Sequence, residues 1–209
     1  MKSRRISLLL ATVLVITTLS ASVVPSKEPV CGIYQTASDF AQKKLVHSIY
    51  SVDKKNHLVL HTMFYSTKID VVDAGVKTSY LRSEIYGYKD NGVDYRIAGD
   101  NALAIVDATS FVLYSNVKVT RDMKGRGTKE MVYYFSKDAN SEVKELTKDN
   151  LKAAFADNSR FRYYLDAFFK SDKDLIAFDA QANEYKIKFI YESSLKEGVQ
   201  AKNVYKPML

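Results

Sequence analysis

Apolar and polar positions alternate through residues 76–135, and this period-two pattern predicts an antiparallel β-sheet. The strongest local signal is Asn91-Gly92, because this pair readily supplies the two positive φ angles of a type I′ turn. A tight turn there sets Tyr88 opposite Tyr95 across the hairpin and fixes the register. Gly87 has no side chain to pack, so it indicates a bulge or a close approach by another backbone.

The same alternation continues on both sides of the hairpin. Further strands are predicted over residues 57–64, 69–72, 76–82, 103–106, 111–119 and 131–135. All the predicted connections are short or hairpin-like, so the sheet should be antiparallel. We expect about seven or eight strands, in a meander that is either open or a partly closed barrel. A first strand near Gly32 should turn into a short helix capped by Thr36 or Ser38.

From Thr147 onward the apolar positions recur at helical spacing and predict three amphipathic helices. The helices should begin at Thr147, at Asn158 or Ser159, and at Ser171. Their apolar stripes contain Leu151, Ala154 and Phe155, then Phe161, Tyr164, Leu165, Phe168 and Phe169, and finally Leu175, Phe178, Ala182, Tyr185 and Phe189. Aromatic stripes of this kind are more often core than cofactor sites, so the helices should cover one face or one end of the sheet. The predicted fold class is therefore α+β.

Residues 1–22 have the pattern of an export signal. Lys2, Arg4 and Arg5 precede an apolar run over 6–19, and small residues follow. The alternative is a retained membrane anchor, but the run is short for a permanent spanning helix. We therefore expect a periplasmic or extracellular protein with no transmembrane segment after cleavage.

Cleavage after Ser22 would leave 187 of the 209 residues, enough to bury a core. The predicted organisation is a linker over 23–31, a β-rich region with a short helix over 32–146, and a helical region over 147–209. We expect the helical region to pack on the same domain as the strands.

Charge gives little indication of a nucleic-acid partner. Loss of the export segment lowers the net charge from +7 to +4, and the remaining Lys and Arg residues are spread along the chain. One local excess lies in the loop 118–129, which contains Arg121, Lys124 and Arg126. This loop is either a hairpin tip with charges that prevent aggregation or a contact for an anion or an acidic partner.

No motif predicts a metal, a cofactor or a catalytic residue. Cys31 is the only cysteine, so no internal disulfide forms, and the preceding residues do not resemble a lipidation signal. Its thiol should be buried or paired with another chain. The histidines His47, His57 and His61 lack the spacing of a metal motif. The chain also has no Gly-x-Ser-x-Gly elbow and no phosphate-binding loop.

Several segments resemble a group of small secreted proteins from Bacteroidetes-type bacteria that have no assigned function. The resemblance rests chiefly on Gly32-Ile-Tyr, Ser83-Glu-Ile-Tyr-Gly-Tyr88, Asp94-Tyr-Arg-Ile97 and Asn150-Leu-Lys-Ala-Ala-Phe155. It implies export and a single domain in which strands precede helices. It carries over no functional residue.

These observations favour a non-enzymatic domain that binds a protein, an envelope component or a small ligand. Tyr86, Tyr88, Tyr95 and Arg96 are the candidate ligand platform, although aromatic cross-strand pairs also serve simply to stabilise sheets. The alternative is a hydrolase that acts on envelope or dietary glycans through a pair of carboxylates. Candidates for that pair are Asp70, Asp73, Glu84, Asp94 and Asp107.

Overall fold

The computed structural model describes residues 28–61, 67–121, 125 and 127–196. The predicted export signal and the C-terminal residues from 197 onward lie outside this part of the chain. So do Lys124, Arg126 and the side chain of Arg121.

The principal element is an open antiparallel sheet of eight strands, in the order β11-β10-β9-β8-β7-β6-β1-β2. Its strands are β1 (Cys31–Tyr34), β2 (Val46–Ile49), β6 (Gly87–Asp90), β7 (Val93–Ala98), β8 (Asn101–Asp107), β9 (Val112–Arg121), β10 (Gly127–Ser136) and β11 (Lys144–Glu145). A second sheet contains β3 (His57–Val59), β4 (Lys68–Asp73) and β5 (Val76–Leu81). The predicted α+β class with an antiparallel meander is confirmed, and the sheet does not close into a barrel.

The hairpin between β6 and β7 has the predicted turn and register. Asn91 and Gly92 take φ values of 47° and 83°, and Tyr88 pairs with Tyr95. The close backbone approach predicted at Gly87 is also present, because a Cβ there would overlap the carbonyl oxygen of Tyr95. Glycine is therefore required where β6 begins.

The described residues contain four α-helices: α1 (Ala37–Ala41), α2 (Lys148–Ala154), α3 (Ser159–Phe168) and α4 (Lys186–Leu195). Thr36 caps α1 and Thr147 caps α2, each through its side-chain oxygen. The Asn158 side chain accepts a hydrogen bond from the Phe161 amide at 2.9 Å and caps α3. Within the described residues, no helix combines the length and apolar content needed to cross a bilayer.

The segment after Ser171 differs from the continuous third helix that its spacing predicts. A 3₁₀ helix (Asp172–Ile176) is followed by a short hairpin of β12 (Phe178–Asp179) and β13 (Glu184–Tyr185), and only then by α4. The Asp179 carboxylate accepts hydrogen bonds from the amides of Gln181 and Ala182, and Asn183 takes a φ of 53°. This local turn stops the helix because its backbone donors bond to a side chain instead.

Three hydrophobic clusters are present among the described residues: two lie at opposite ends of the principal sheet, and a smaller one includes Leu103, Val112 and Tyr114. The helical end is closed by an aromatic cluster that includes Phe111, Phe135, Phe155, Phe161 and Leu165. At the other end, the second sheet packs on β1 and β6, and its core includes Cys31, Ile33, Ile69, Val71 and Tyr88.

Candidate functional site

The structure brings together two of the four residues in the predicted ligand platform, Tyr86 and Arg96. The Arg96 guanidinium lies 5.3 Å from the centre of the Tyr86 ring. Tyr88 and Tyr95 stack on each other at 4.9 Å in the core beneath the second sheet. Burial raises the pKa of Tyr88 to about 12. Tyr88 and Tyr95 therefore pack in the core, and Tyr86 and Arg96 are the members of the predicted platform that line a groove.

Arg96 is held by hydrogen bonds to neutral acceptors only. Its Nη1 atom donates to the Tyr114 hydroxyl at 2.9 Å and to Ser136 Oγ at 3.2 Å. Its Nη2 atom donates to the Ser141 carbonyl at 2.9 Å. Among the residues described by the structure, no carboxylate lies within salt-bridge distance of this guanidinium, although the charge of Arg96 helps to lower the pKa of the more distant Asp138 carboxylate. A guanidinium has five N–H donors, so some remain for a ligand.

The hydroxyl protons around Arg96 have one consistent arrangement. Ser136 Oγ donates to the Asp138 carbonyl at 2.7 Å, so it acts as an acceptor towards Tyr114 at 2.8 Å. Tyr114 in turn accepts from Arg96. Each hydroxyl has a single proton, so every hydrogen bond in this series is donated in the same direction, from Arg96 on β7 to Tyr114 and then to Ser136 on β10. The series fixes the orientation of the guanidinium.

A polar groove of about 330 Å³ opens beside Arg96. Its lining comprises Gln35, Thr36, Ala37, Ser83, Glu84, Ile85, Tyr86, Arg96, Ala139 and Asn140. The Tyr86 hydroxyl is buried and has no hydrogen-bond partner among the described residues. Burial raises the pKa of Tyr86 well above its usual value, and the neighbouring Tyr114 raises it further. The Arg96 guanidinium lowers the pKa of Tyr86 less than burial raises it, so Tyr86 stays protonated. Its hydroxyl lies near Tyr114 and Arg96 but forms no hydrogen bond of normal geometry with either. Glu84 is the acidic member of the lining.

A second cavity, which we call the phenylalanine pocket, lies at the helical end of the molecule. It encloses about 310 Å³ and is lined by Phe168, Phe169, Asp179, Ala182, Glu184, Lys186, Phe189 and Ile190. Phe168 and Phe189 belong to stripes that spacing predicts as core, yet their exposed fractions are 41% and 38%. Sequence reasoning missed this pocket, and no local motif marks it.

The sequence also gave no indication of the cluster of Tyr80, His47 and Asp73. His47 Nδ1 lies 3.1 Å from Asp73, and His47 Nε2 lies 2.9 Å from the Tyr80 hydroxyl. In this arrangement Tyr80 has the position of a nucleophile, His47 that of a base, and Asp73 that of a carboxylate that orients the base. The three residues line neither of the two cavities, and they join β2 to β4 and β5.

Most of the carboxylates proposed for a catalytic pair have cationic partners. Asp70 accepts hydrogen bonds from Ser79 and His61 at 2.6 and 2.7 Å, and Lys77 lies 2.6 Å from it. Asp94 contacts Lys43 at 2.8 Å.

The remaining candidates of this set are divided between other parts of the fold. Asp107 lies 3.2 Å from Lys188, whereas Asp73 belongs to the cluster with His47. Glu84 lies at the Arg96 groove.

The histidines have separate partners as well. His57 Nδ1 lies 3.0 Å from the Asp53 carbonyl, whereas His61 contacts Asp70. In the described part of the chain, no three His, Cys, Asp or Glu side chains are grouped so that they could hold a metal ion.

The predicted basic loop lies at the tip of the long hairpin of β9 and β10. The two strands pair from Val112 with Ser136 out to Arg121 with Gly127. The side chains of Arg121, Lys124 and Arg126 fall outside the described residues, so their role as a contact for an anion or partner remains a prediction.

Comparison of the chain with protein-family models, with curated proteins and with solved structures finds no match. The geometry of the cavities is therefore the basis for the functional proposals that follow.

Proposed function

We propose that this protein is an exported binding domain that holds an anionic group of its ligand beside Arg96. The observation that carries the proposal is a fixed guanidinium, without a salt-bridged carboxylate among the described residues, at the edge of a polar groove. A partly buried cation is stabilised when an anion approaches it, because the surrounding protein screens the charge less than water does. The pattern of residues 1–22 supports export.

A carboxylate is the anion that best suits this site. Protein acceptors already use both Nη1 N–H groups and one Nη2 N–H group of Arg96, so the Nε–H and the second Nη2 N–H remain for the two oxygens of a carboxylate. The Tyr86 hydroxyl offers a further donor, because it has no partner of its own among the described residues. Glu84 opposes a second negative charge in the groove, so a singly charged carboxylate should bind better than phosphate.

Binding is favoured over hydrolysis because the acidic residues of the alternative hypothesis have other roles. Asp70 accepts a hydrogen bond from His61, and Asp94 forms a salt bridge with Lys43. Neither aspartate lines a cavity described above. The cluster of Tyr80, His47 and Asp73 has an order suited to catalysis, but it also lies away from both cavities. We therefore retain the hydrolase as the second hypothesis and place binding first.

The test is a titration of the protein, starting at residue 23, with acetate, N-acetylglycine and phosphate at constant ionic strength. The Arg96 Nε–H signal is followed by nuclear magnetic resonance. We expect saturable shifts with both carboxylates and weaker binding of phosphate. Arg96→Lys keeps the charge but loses the planar fork, and it should weaken carboxylate binding by about tenfold.

Tyr86→Phe provides a second variant in case Arg96→Lys disturbs the fold. Removal of a hydroxyl without a partner should leave thermal stability nearly unchanged, while carboxylate affinity falls by about threefold to tenfold. Tyr95→Phe, on the packed side of the hairpin, is the matched control and should bind as the wild type does. Absence of saturable carboxylate binding, or equal affinity in Tyr86→Phe and wild type, would overturn the proposal.

A further inference from the structure

The phenylalanine pocket combines three features that are independent of the Arg96 groove. It is concave, aromatic and aliphatic side chains form much of its lining, and the lining includes carboxylates. Phe168 and Phe189 each leave more than a third of their surface exposed, while Phe169 and Ile190 are buried. Cavities of this size with aromatic walls and a few polar groups are typical of small-ligand sites.

The aromatic side chains come from different elements and converge through the local turn described above. Phe168 ends α3, Phe169 follows it, and Phe189 lies one turn inside α4. The hairpin of β12 and β13 supplies Ala182 and Glu184 between them. Had the chain continued as one helix after Ser171, this concave surface would not exist.

The charged groups of the pocket favour a cation. Asp179 and Glu184 are both among its lining residues. Burial raises the pKa of Glu184, the nearby carboxylates of Glu192 and Asp107 raise it further, and the weaker effects of Lys196 and Lys188 lower it, so the negative charge of Glu184 is only partly compensated. Lys186 also lines the pocket, and both Lys186 and Asp179 take part in interactions of their own, so Glu184 is the carboxylate that we pair with the ligand charge. A ligand cation near Glu184 would relieve the repulsion between the carboxylates.

We propose that the phenylalanine pocket binds a small quaternary ammonium compound of the choline type, with its methyl groups against Phe168 and Phe189 and its charge beside Glu184. Aromatic faces attract such cations through the ring quadrupole. The methyl groups bury apolar surface. They need no hydrogen-bond acceptors, so an apolar wall suits them. A primary ammonium would lose three hydrogen bonds to water on entering the same wall.

The experiment compares choline with 3,3-dimethylbutan-1-ol, a neutral compound of almost the same shape. Both are titrated into the protein, from residue 23 onward, and binding is followed through the resonances of the Phe168 and Phe189 rings. We expect saturable choline binding at least about tenfold tighter than binding of the neutral alcohol. Equal affinity for the two compounds, or no saturable choline binding, would overturn the proposal.

Two variants assign the selectivity to named groups. Glu184→Gln should reduce choline affinity towards that of the neutral alcohol and leave the alcohol unaffected, since only the charge is removed. Phe189→Leu should weaken choline binding while preserving an apolar wall. Tyr163→Ala, an exposed aromatic on the same helix as Phe168 but outside the lining, is the control. Retention of full choline selectivity in Glu184→Gln would contradict the proposed role of its carboxylate.

Two further probes distinguish the source of the ammonium group. Phosphocholine represents a lipid headgroup, and Nε-trimethyl-lysine represents a modified protein side chain. Tighter binding of free choline than of either probe supports a small free compound, and tighter binding of either probe overturns that assignment. Because the Arg96 groove is tested with anions and with different variants, failure of one proposal leaves the other standing.

Discussion

The two ends of the principal sheet are closed by different kinds of contact. At the helical end, aromatic rings from β9, β10 and the helices form one cluster. At the other end, the second sheet is packed through aliphatic residues and fastened by hydrogen bonds between titratable groups, such as His47 with Asp73. Apolar contact is non-directional, whereas hydrogen bonds fix orientation and depend on protonation. The difference predicts that loss of a buried ring acts most strongly at the helical end, and that protonation of Asp70 at acid pH weakens the second sheet.

The largest expected effect is that of Phe155→Ala at the helical end. Phe155 is buried, and its ring centre lies 4.9 to 6.4 Å from those of four neighbours: Phe111, Phe135, Phe161 and Tyr191. Loss of this ring leaves a cavity among them, so the free energy of unfolding should fall by about 3–5 kcal/mol in a denaturant titration. Tyr163→Ala, at 69% exposure, should change it by less than about 0.5 kcal/mol. A small effect of Phe155→Ala would remove the distinction between the two ends.

A smaller effect is expected from the ion pair of Lys188 with Asp107 at the helical end, in which Lys188 is buried and Asp107 is 17% exposed. Lys188 is fully buried, donates to the Phe111 carbonyl and lies 3.2 Å from Asp107. Asp107→Ala leaves that cation without its counter-charge and should lower the unfolding free energy by about 3 kcal/mol. Lys188→Met should cost less, because Asp107 keeps its hydrogen bonds from Thr109.

A double-mutant cycle measures the coupling between the two groups. Asp107→Ala combined with Lys188→Met should recover most of the stability lost in Asp107→Ala, since the buried cation is gone. Additive losses in the double mutant would show that the pair is not coupled.

The smallest expected effect appears at acid pH and concerns Asp70 in the second sheet. Burial opposes its charge, but hydrogen bonds from Lys77, Ser79 and His61 outweigh burial and hold the pKa of Asp70 well below its usual value. The stabilisation is complete above the unfolded pKa of about 3.9 and is lost as the pH falls from there towards the lower folded pKa. Asp70→Asn should therefore reduce the fall in unfolding free energy below about pH 4.

The comparison variant for this pH dependence is Phe155→Ala, which changes no titratable group. It should keep the slope of stability against pH that the wild type has below about pH 4. Equal slopes in Asp70→Asn and wild type would contradict the assignment of acid sensitivity to this end of the molecule.

Local signals explain what could be predicted from the sequence. The Asn91-Gly92 turn and the caps at Thr147 and Asn158 depend on residues within a few positions of each other, and all occur as predicted. The turn at Asp179 is equally local, but the apolar spacing from Leu175 to Phe189 also fits a helix. Hydrogen bonds from backbone amides to the Asp179 side chain decide between the two.

The geometry of the candidate site was harder to predict from the sequence, because it depends on contacts between residues that are far apart in the chain. Arg96 and Tyr86 could be named as candidates, but the arrangement around Arg96 requires Tyr114 and Ser136 from two other strands. Conversely, periodicity placed Phe168 and Phe189 in the core. Whether the last residue of an apolar stripe is covered depends on where neighbouring elements end, and spacing alone does not contain that information.

The single cysteine gives the molecule a practical property. Cys31 is fully buried in β1, and burial raises the pKa of its thiol, so little reactive thiolate is exposed to reagents. A second cysteine introduced at an exposed position such as Tyr163 should therefore accept a fluorophore or spin label selectively. The native chain can serve directly as the background for such labelling, without a prior substitution that would disturb its core.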